Sequence, residues 1–129
     1  MKTLVSSTIC ALVLFAGTAA ADSKCQDFTI EIDNDYQLSG DPKDIKVVDL
    51  EYYDYEDTNW RNEVLGDQIV SYHADVDEWE KNLEYIGGED TVLRVWFRYD
   101  VGAGWSSLHS VDSARFRCID GESIRIVVQ

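Results

Sequence analysis

Thr91-Val92-Leu93-Arg94-Val95-Trp96-Phe97-Arg98-Tyr99 is the stretch that decides the fold class. Leu93, Val95, Phe97 and Tyr99 alternate with Val92, Arg94, Trp96 and Arg98, and a period of two puts successive side chains on opposite faces of a strand. Asp100-Val101-Gly102-Ala103-Gly104 follows as a glycine-containing hairpin loop, and Trp105–Ser110 returns. Toward the C-terminus, Ala114, Phe116 and Cys118 alternate with Arg115 and Arg117. Asp120-Gly121 marks a turn, after which Ile124, Ile126 and Val128 alternate with Arg125 and Val127.

Toward the N-terminus the same pattern recurs. In Asp27–Asp33, Phe28, Ile30 and Ile32 alternate with Thr29 and Glu31. The segment from Asn34 to Asp44 contains Pro42, Gly40 and several acids, and reads as loop. Ile45–Tyr55 returns to strand, with Val48, Leu50 and Tyr52 expected on one face and Asp49, Glu51 and Tyr53 on the other. Glu56-Asp57-Thr58-Asn59 is turn chemistry, because Asp and Asn side chains bond their own backbone. Trp60–Leu65 is the expected partner strand, Gly66-Asp67 breaks it, and Gln68–His73 is a further short strand. Asp77–Ile86 fits two periods. Val76, Trp79, Leu83 and Ile86 have helical spacing, whereas Trp79, Leu83 and Tyr85 share a strand face; an irregular strand is the favoured reading. Seven or eight short strands in about 108 residues predict an all-β domain, an antiparallel β-sandwich or small barrel.

Residues 1–21 read as a signal peptide. Lys2 gives a positive start, Leu4 to Phe15 a mostly apolar stretch interrupted by Ser6, Ser7 and Thr8, and Ala19-Ala20-Ala21 a small-residue cleavage site. A membrane anchor would want about 20 apolar residues with few interruptions. The expected organisation is a signal peptide over 1–21 and a single β domain over 22–129, secreted or periplasmic, with no membrane association after cleavage. The whole chain has 11 basic and 25 acidic residues; losing Lys2 and no acid leaves 10 − 25 = −15. Such a field excludes nucleic acid as a partner and steers toward a basic one. Four Trp, seven Tyr and four Phe, of which only Phe15 precedes residue 22, argue for a packed core despite the charge. Cys10 would leave with the signal, so Cys25 and Cys118 are expected to form one disulfide in an oxidising compartment.

Catalytic and metal motifs are sparse. Ser106 and Ser107 lack a G-x-S-x-G elbow, and His109 has no nucleophile arrangement around it. No HExxH or CxxC spacing holds zinc. Asp33-Asn34-Asp35 begins like a calcium loop, but Leu38 stands where its glycine belongs and no Glu closes it; Asp33, Asp35, Asp41 and Asp44 remain a weak calcium set. Paired carboxylates abound without any selected pair. The expectation is no enzyme, no metal site and no cofactor.

Asp49-Leu50-Glu51-Tyr52-Tyr53-Asp54-Tyr55-Glu56-Asp57, followed by Trp60-Arg61, is the distinctive segment. Tyr, Trp and Arg are the residue types that most often anchor protein interfaces, and carboxylates around them speed approach to a basic surface. Tyr52 is expected in the core, leaving Tyr53, Tyr55, Glu56, Asp57, Trp60 and Arg61 as the candidate partner-binding set. The alternative is a carbohydrate-binding module, with Trp96 and Trp105 as a stacking platform. Short signal, acidic two-cysteine all-β domain and Tyr-rich hairpin ending in Trp60-Arg61 together resemble periplasmic immunity proteins of type VI secretion, of the small β-sandwich kind that neutralises a peptidoglycan-cleaving effector. The resemblance is one of profile over most of residues 22–129 and carries no residue roles. It implies a dimeric inhibitor that inserts a loop or edge into the cleft of a peptidoglycan hydrolase.

Overall fold

In a computed structural model, residues 23–74 and 77–129 are described. The signal peptide expected over 1–21 and Val76 of the ambiguous segment lie outside them. The described residues form strands and no helix. In chain order these are β1 (Cys25–Asn34), β2 (Gln37–Leu38), β3 (Asp41–Pro42), β4 (Ile45–Asp54), β5 (Asn59–Glu63) and β6 (Gln68–Val70). They continue with β7 (Asp77–Leu83), β8 (Asp90–Thr91), β9 (Leu93–Tyr99), β10 (His109–Asp112), β11 (Phe116–Arg117) and β12 (Ser123–Val128).

Two sheets carry the core. One has the order β12-β1-β7, the other β10-β9-β4-β5, with β6 also on β4. Alternation in β1 buries Phe28, Ile30 and Ile32 toward the second sheet, whose Ile45, Val47, Leu50, Leu93, Val95 and Phe97 join the same core. Full burial of one such side chain is worth about 1.5–3 kcal/mol, so these facing rows dominate the stabilisation. The architecture is thus a sandwich of many short strands; neither sheet closes into a barrel. Its one parallel pairing, β1 with β12, joins the two ends of the described chain. Such a pair needs a long connection, and here nearly the whole domain supplies it.

Three local expectations change. The pairing of β4 with β9 shifts between Val47 and Asp49, so Val47, not Val48, is buried with Leu50 and Tyr52. An extra residue in one strand of an antiparallel pair forces this β-bulge and turns the following side chains over. Asp77–Leu83 is strand, but Tyr85 leaves its face: it adopts φ 69° and is 41 % exposed, while Ile86 is buried. The 34–44 loop contains the small β2–β3 hairpin.

Cys25 and Cys118 are disulfide-bonded, with Cα atoms 5.9 Å apart, as expected. The bridge ties the start of β1 to the segment after β11, where Phe28 and Phe116 stack at 5.5 Å. Gly87 lies so close that a Cβ on it would meet the Lys24 carbonyl oxygen at 2.5 Å, which is why no larger residue fits there. At the far end of β1, buried Asn34 donates to the Lys43 and Val70 carbonyls and accepts from the Tyr36 N–H. That side chain fastens the 35–44 segment and β6 to β1, since a buried amide left unpaired would cost about 1–3 kcal/mol.

Candidate functional site

The β4–β5 hairpin projects the candidate residues, and its register sorts them. Tyr53 pairs with Trp60 and Tyr52 with Arg61, so adjacent residues face opposite sides. Tyr53 and Trp60 belong to the outer face of the second sheet. Their rings meet edge-on with centroids 5.2 Å apart, and Tyr55 meets Tyr53 edge-on at 4.7 Å. Edge-to-face contact suits the ring quadrupoles and holds the three rings in one arrangement. Tyr55 is 38 % exposed at the tip.

Two guanidinium groups from elsewhere complete this cluster. Arg94 of β9 lies 4.0 Å from the Trp60 ring centroid, and Arg115 lies 4.0 Å from that of Tyr55. Asp112 aims Arg94 through two hydrogen bonds, Nε to Oδ1 at 2.7 Å and Nη2 to Oδ2 at 2.9 Å, which also raise the Arg94 pKa. Arg115 is tethered to Asp90 at 3.1 Å. Neither arginine belonged to the candidate set. The alternation of Arg94 with Val95 already put it on the polar face of its strand, but nothing in the sequence placed β9 beside β4.

Arg61 goes the other way. Its Nε donates to Asp54 Oδ2 at 2.8 Å, its Nη2 lies 2.7 Å from Asp57 Oδ2, and its guanidinium stacks over Tyr85 at 4.0 Å. Asp54 is only 3 % exposed. Burial pushes its pKa up, yet the Asp57 N–H, the Arg61 guanidinium and the Glu56 N–H more than offset this and leave it below the ordinary value. The same carboxylate therefore shapes the turn: the N–H groups of Glu56 and Asp57 both donate to Asp54 Oδ1. Thr58 sits at φ 52°, closing the turn. The structure thus gathers Tyr53, Tyr55 and Trp60 on one surface, leaves the Glu56 carboxylate without an ion pair among the described residues, and uses Arg61 and Asp57 to hold the tip.

The rest of the outer face continues from Trp60. Trp96 of β9 pairs with Asp49, and its indole N–H donates to Glu51 at 2.8 Å. Trp105 bridges to Asp100 and carries the Lys46 ammonium 5.1 Å from its ring centroid. Trp60 and Trp105 thus each carry a cation against the ring, and the Trp96 indole is engaged by Glu51.

The calcium-type carboxylates do not converge. Asp35 meets His73, Asp41 meets Lys43 at 2.5 Å, and Asp44 accepts the Tyr72 N–H. No three His, Cys, Asp or Glu side chains gather to hold a metal among the described residues. Ser107 Oγ lies 3.4 Å from His109 Nε2, while Ser106 Oγ is spent on the Tyr99 N–H and the Ser107 carbonyl. No helix is long and apolar enough to cross a membrane among the described residues, and the disulfide is compatible with an extracytoplasmic location. Against protein-family models, curated proteins and solved structures, the chain finds no match.

Proposed function

We propose that this chain is a non-catalytic, acidic binding protein of the periplasm or extracellular space. It neutralises a basic cell-wall-degrading enzyme by seating the β4–β5 hairpin tip in that enzyme's cleft. The observation that carries the reading is the tip itself: Tyr53, Tyr55 and Trp60 are locked against one another beside the unpaired Glu56 carboxylate. Rigid aromatics lose little conformational entropy on binding, and desolvating them slows dissociation. Charge supports the same partner. Among the described residues every Lys and Arg except Arg98 is already ion-paired, so the surplus charge left to attract a partner is negative. Peptidoglycan is anionic, and enzymes that bind it present basic clefts that an acidic tip would mimic.

The test is stoichiometric inhibition. Purified residues 22–129 are titrated into envelope-targeted peptidoglycan hydrolases while cell-wall turbidity is followed. A linear loss of activity that ends near equivalence, and that shifts on Tyr55→Ala, is the expected result. Binding to chito-oligosaccharide with no effect on any hydrolase would replace this reading with the carbohydrate module.

A further inference from the structure

Away from the hairpin tip, the outer face of the second sheet is hollowed. A concavity of about 540 Å³ lies over the β4–β9 pair, bordered by Val48, Asp49 and Glu51, by Trp96, Arg98 and Leu108, and by Asp67, which Lys46 reaches at 3.8 Å. The β-bulge makes it. Val48 is the extra residue between the pairs Val47–Phe97 and Asp49–Trp96, and both Val48 and Asp49 therefore border the hollow.

Two of its carboxylates, Asp49 and Glu51, are held in place by hydrogen bonds rather than by ion pairs. Asp49 accepts hydrogen bonds from the Asn62 amide at 2.5 Å and from the Leu50 N–H at 2.9 Å; Glu51 accepts from the Trp96 indole. Neither is in an ion pair among the described residues, although Glu51 pairs across the strands with Arg94, whose guanidinium feels its charge while bound to Asp112. Arg98 borders the same hollow, keeps its charge and donates to the Ser106 carbonyl at 2.8 Å, so three carboxylates of the lining face one cation. Val48, the Trp96 ring and the 44 % exposed Leu108 supply an apolar wall beside these charges. A long methylene stem ending in a cation matches both halves, since such side chains lay the stem on apolar surface and keep the head with its counter-charges. A neutral sugar would offer the two carboxylates hydroxyl donors but no counter-charge.

We propose that this concavity receives a lysine or arginine side chain from an extended basic segment of the protein partner, its stem against Val48 and Leu108 and its head on Asp49 and Glu51. The proposal rests on the reading of the chain as an acidic binding protein and adds a second contact on the same face as Trp60. The probe is a short peptide of alternating Gly and Arg, with alternating Gly and Glu peptide and chito-oligosaccharide as controls. The readout is the Trp96 indole N–H resonance, assigned by its loss in Trp96→Phe. A saturable shift with the arginine peptide is expected, weakened by about tenfold or more in the double variant Asp49→Asn, Glu51→Gln and nearly unchanged in Glu122→Gln. Asn and Gln keep the acceptors for Asn62 and Trp96, so the fold and its spectrum should persist. The inference is overturned by the absence of a saturable shift, by a shift with the sugar in place of the peptide, or by equal affinity in the double variant. A hydrolase bound equally by wild type and double variant, yet lost on Tyr55→Ala, would likewise remove the pocket while leaving the hairpin reading standing.

Discussion

At Asp54 a carboxylate sits almost wholly out of water and stays ionised, because Arg61 and two turn N–H groups reach it. Removing one partner of a buried pair costs about 3–5 kcal/mol, since the survivor is left uncompensated. Arg61→Leu is expected to fall in that range by urea denaturation, whereas Asp54→Asn, which leaves the 21 % exposed arginine to Asp57, should cost about 1–2 kcal/mol. The pH dependence follows from the lowered Asp54 pKa. A carboxylate depressed in the folded state stabilises fully above its unfolded value, about 3.9, and loses that contribution as pH falls through the folded one. Urea melts taken from neutrality into this acid window should show a steeper loss for wild type than for Asp54→Asn; parallel losses would say the pair does not matter. Residue types alone picked out Tyr53, Tyr55 and Trp60. They did not separate Arg61: strand alternation puts it on the face opposite Trp60, and the β5 register adds that it pairs with Tyr52.

Strands whose two faces differ in chemistry were readable as elements. In β1 and β9 strict alternation meets one buried and one wet face, so periodicity and burial agree. Ile30→Ala at the centre of β1 should therefore cost about 2–5 kcal/mol in the same urea assay, through lost transfer energy and a residual cavity. β4 deceived the same reasoning because Val47 and Val48 are identical in chemistry; a bulge between them cannot be told from continued alternation without the partner strand. The two-residue strands β2, β3 and β8 leave no periodicity to read, β11 keeps only two residues of the alternation over 114–118, and the parallel β1–β12 pairing joins segments with no local signal linking them. The hairpin at 54–59 announced itself through its Asp and Asn turn residues. What locks its rings came from elsewhere: Arg94 of β9 and Arg115, just before β11, arrive from far along the chain. Trp60→Ala should consequently leave the fold within about 1 kcal/mol of wild type and weaken partner binding by about 2 kcal/mol or more, measured by calorimetry.

For the molecule as a whole, one covalent tie and one excess charge matter most. The Cys25–Cys118 bridge spans a sequence separation of 93, for which the chain-entropy model gives about 4–5 kcal/mol. That is a large share of the roughly 5–15 kcal/mol typical of a domain. Reduction, or Cys25→Ser with Cys118→Ser, should therefore lower the thermal midpoint steeply, and an unchanged midpoint would show that packing alone suffices. Surplus negative charge acts at longer range and is screened beyond about 8 Å at physiological salt, so it belongs to the encounter, while the desolvated rings belong to the lifetime of the complex. The most direct measurement is the kinetics of residues 22–129 binding a basic peptidoglycan hydrolase at low and high salt, for wild type and Tyr55→Ala. The predicted result is an association rate that falls with salt and hardly responds to Tyr55→Ala, together with a dissociation rate that rises on that substitution. No binding to any hydrolase, or binding indifferent to both salt and Tyr55, would contradict it.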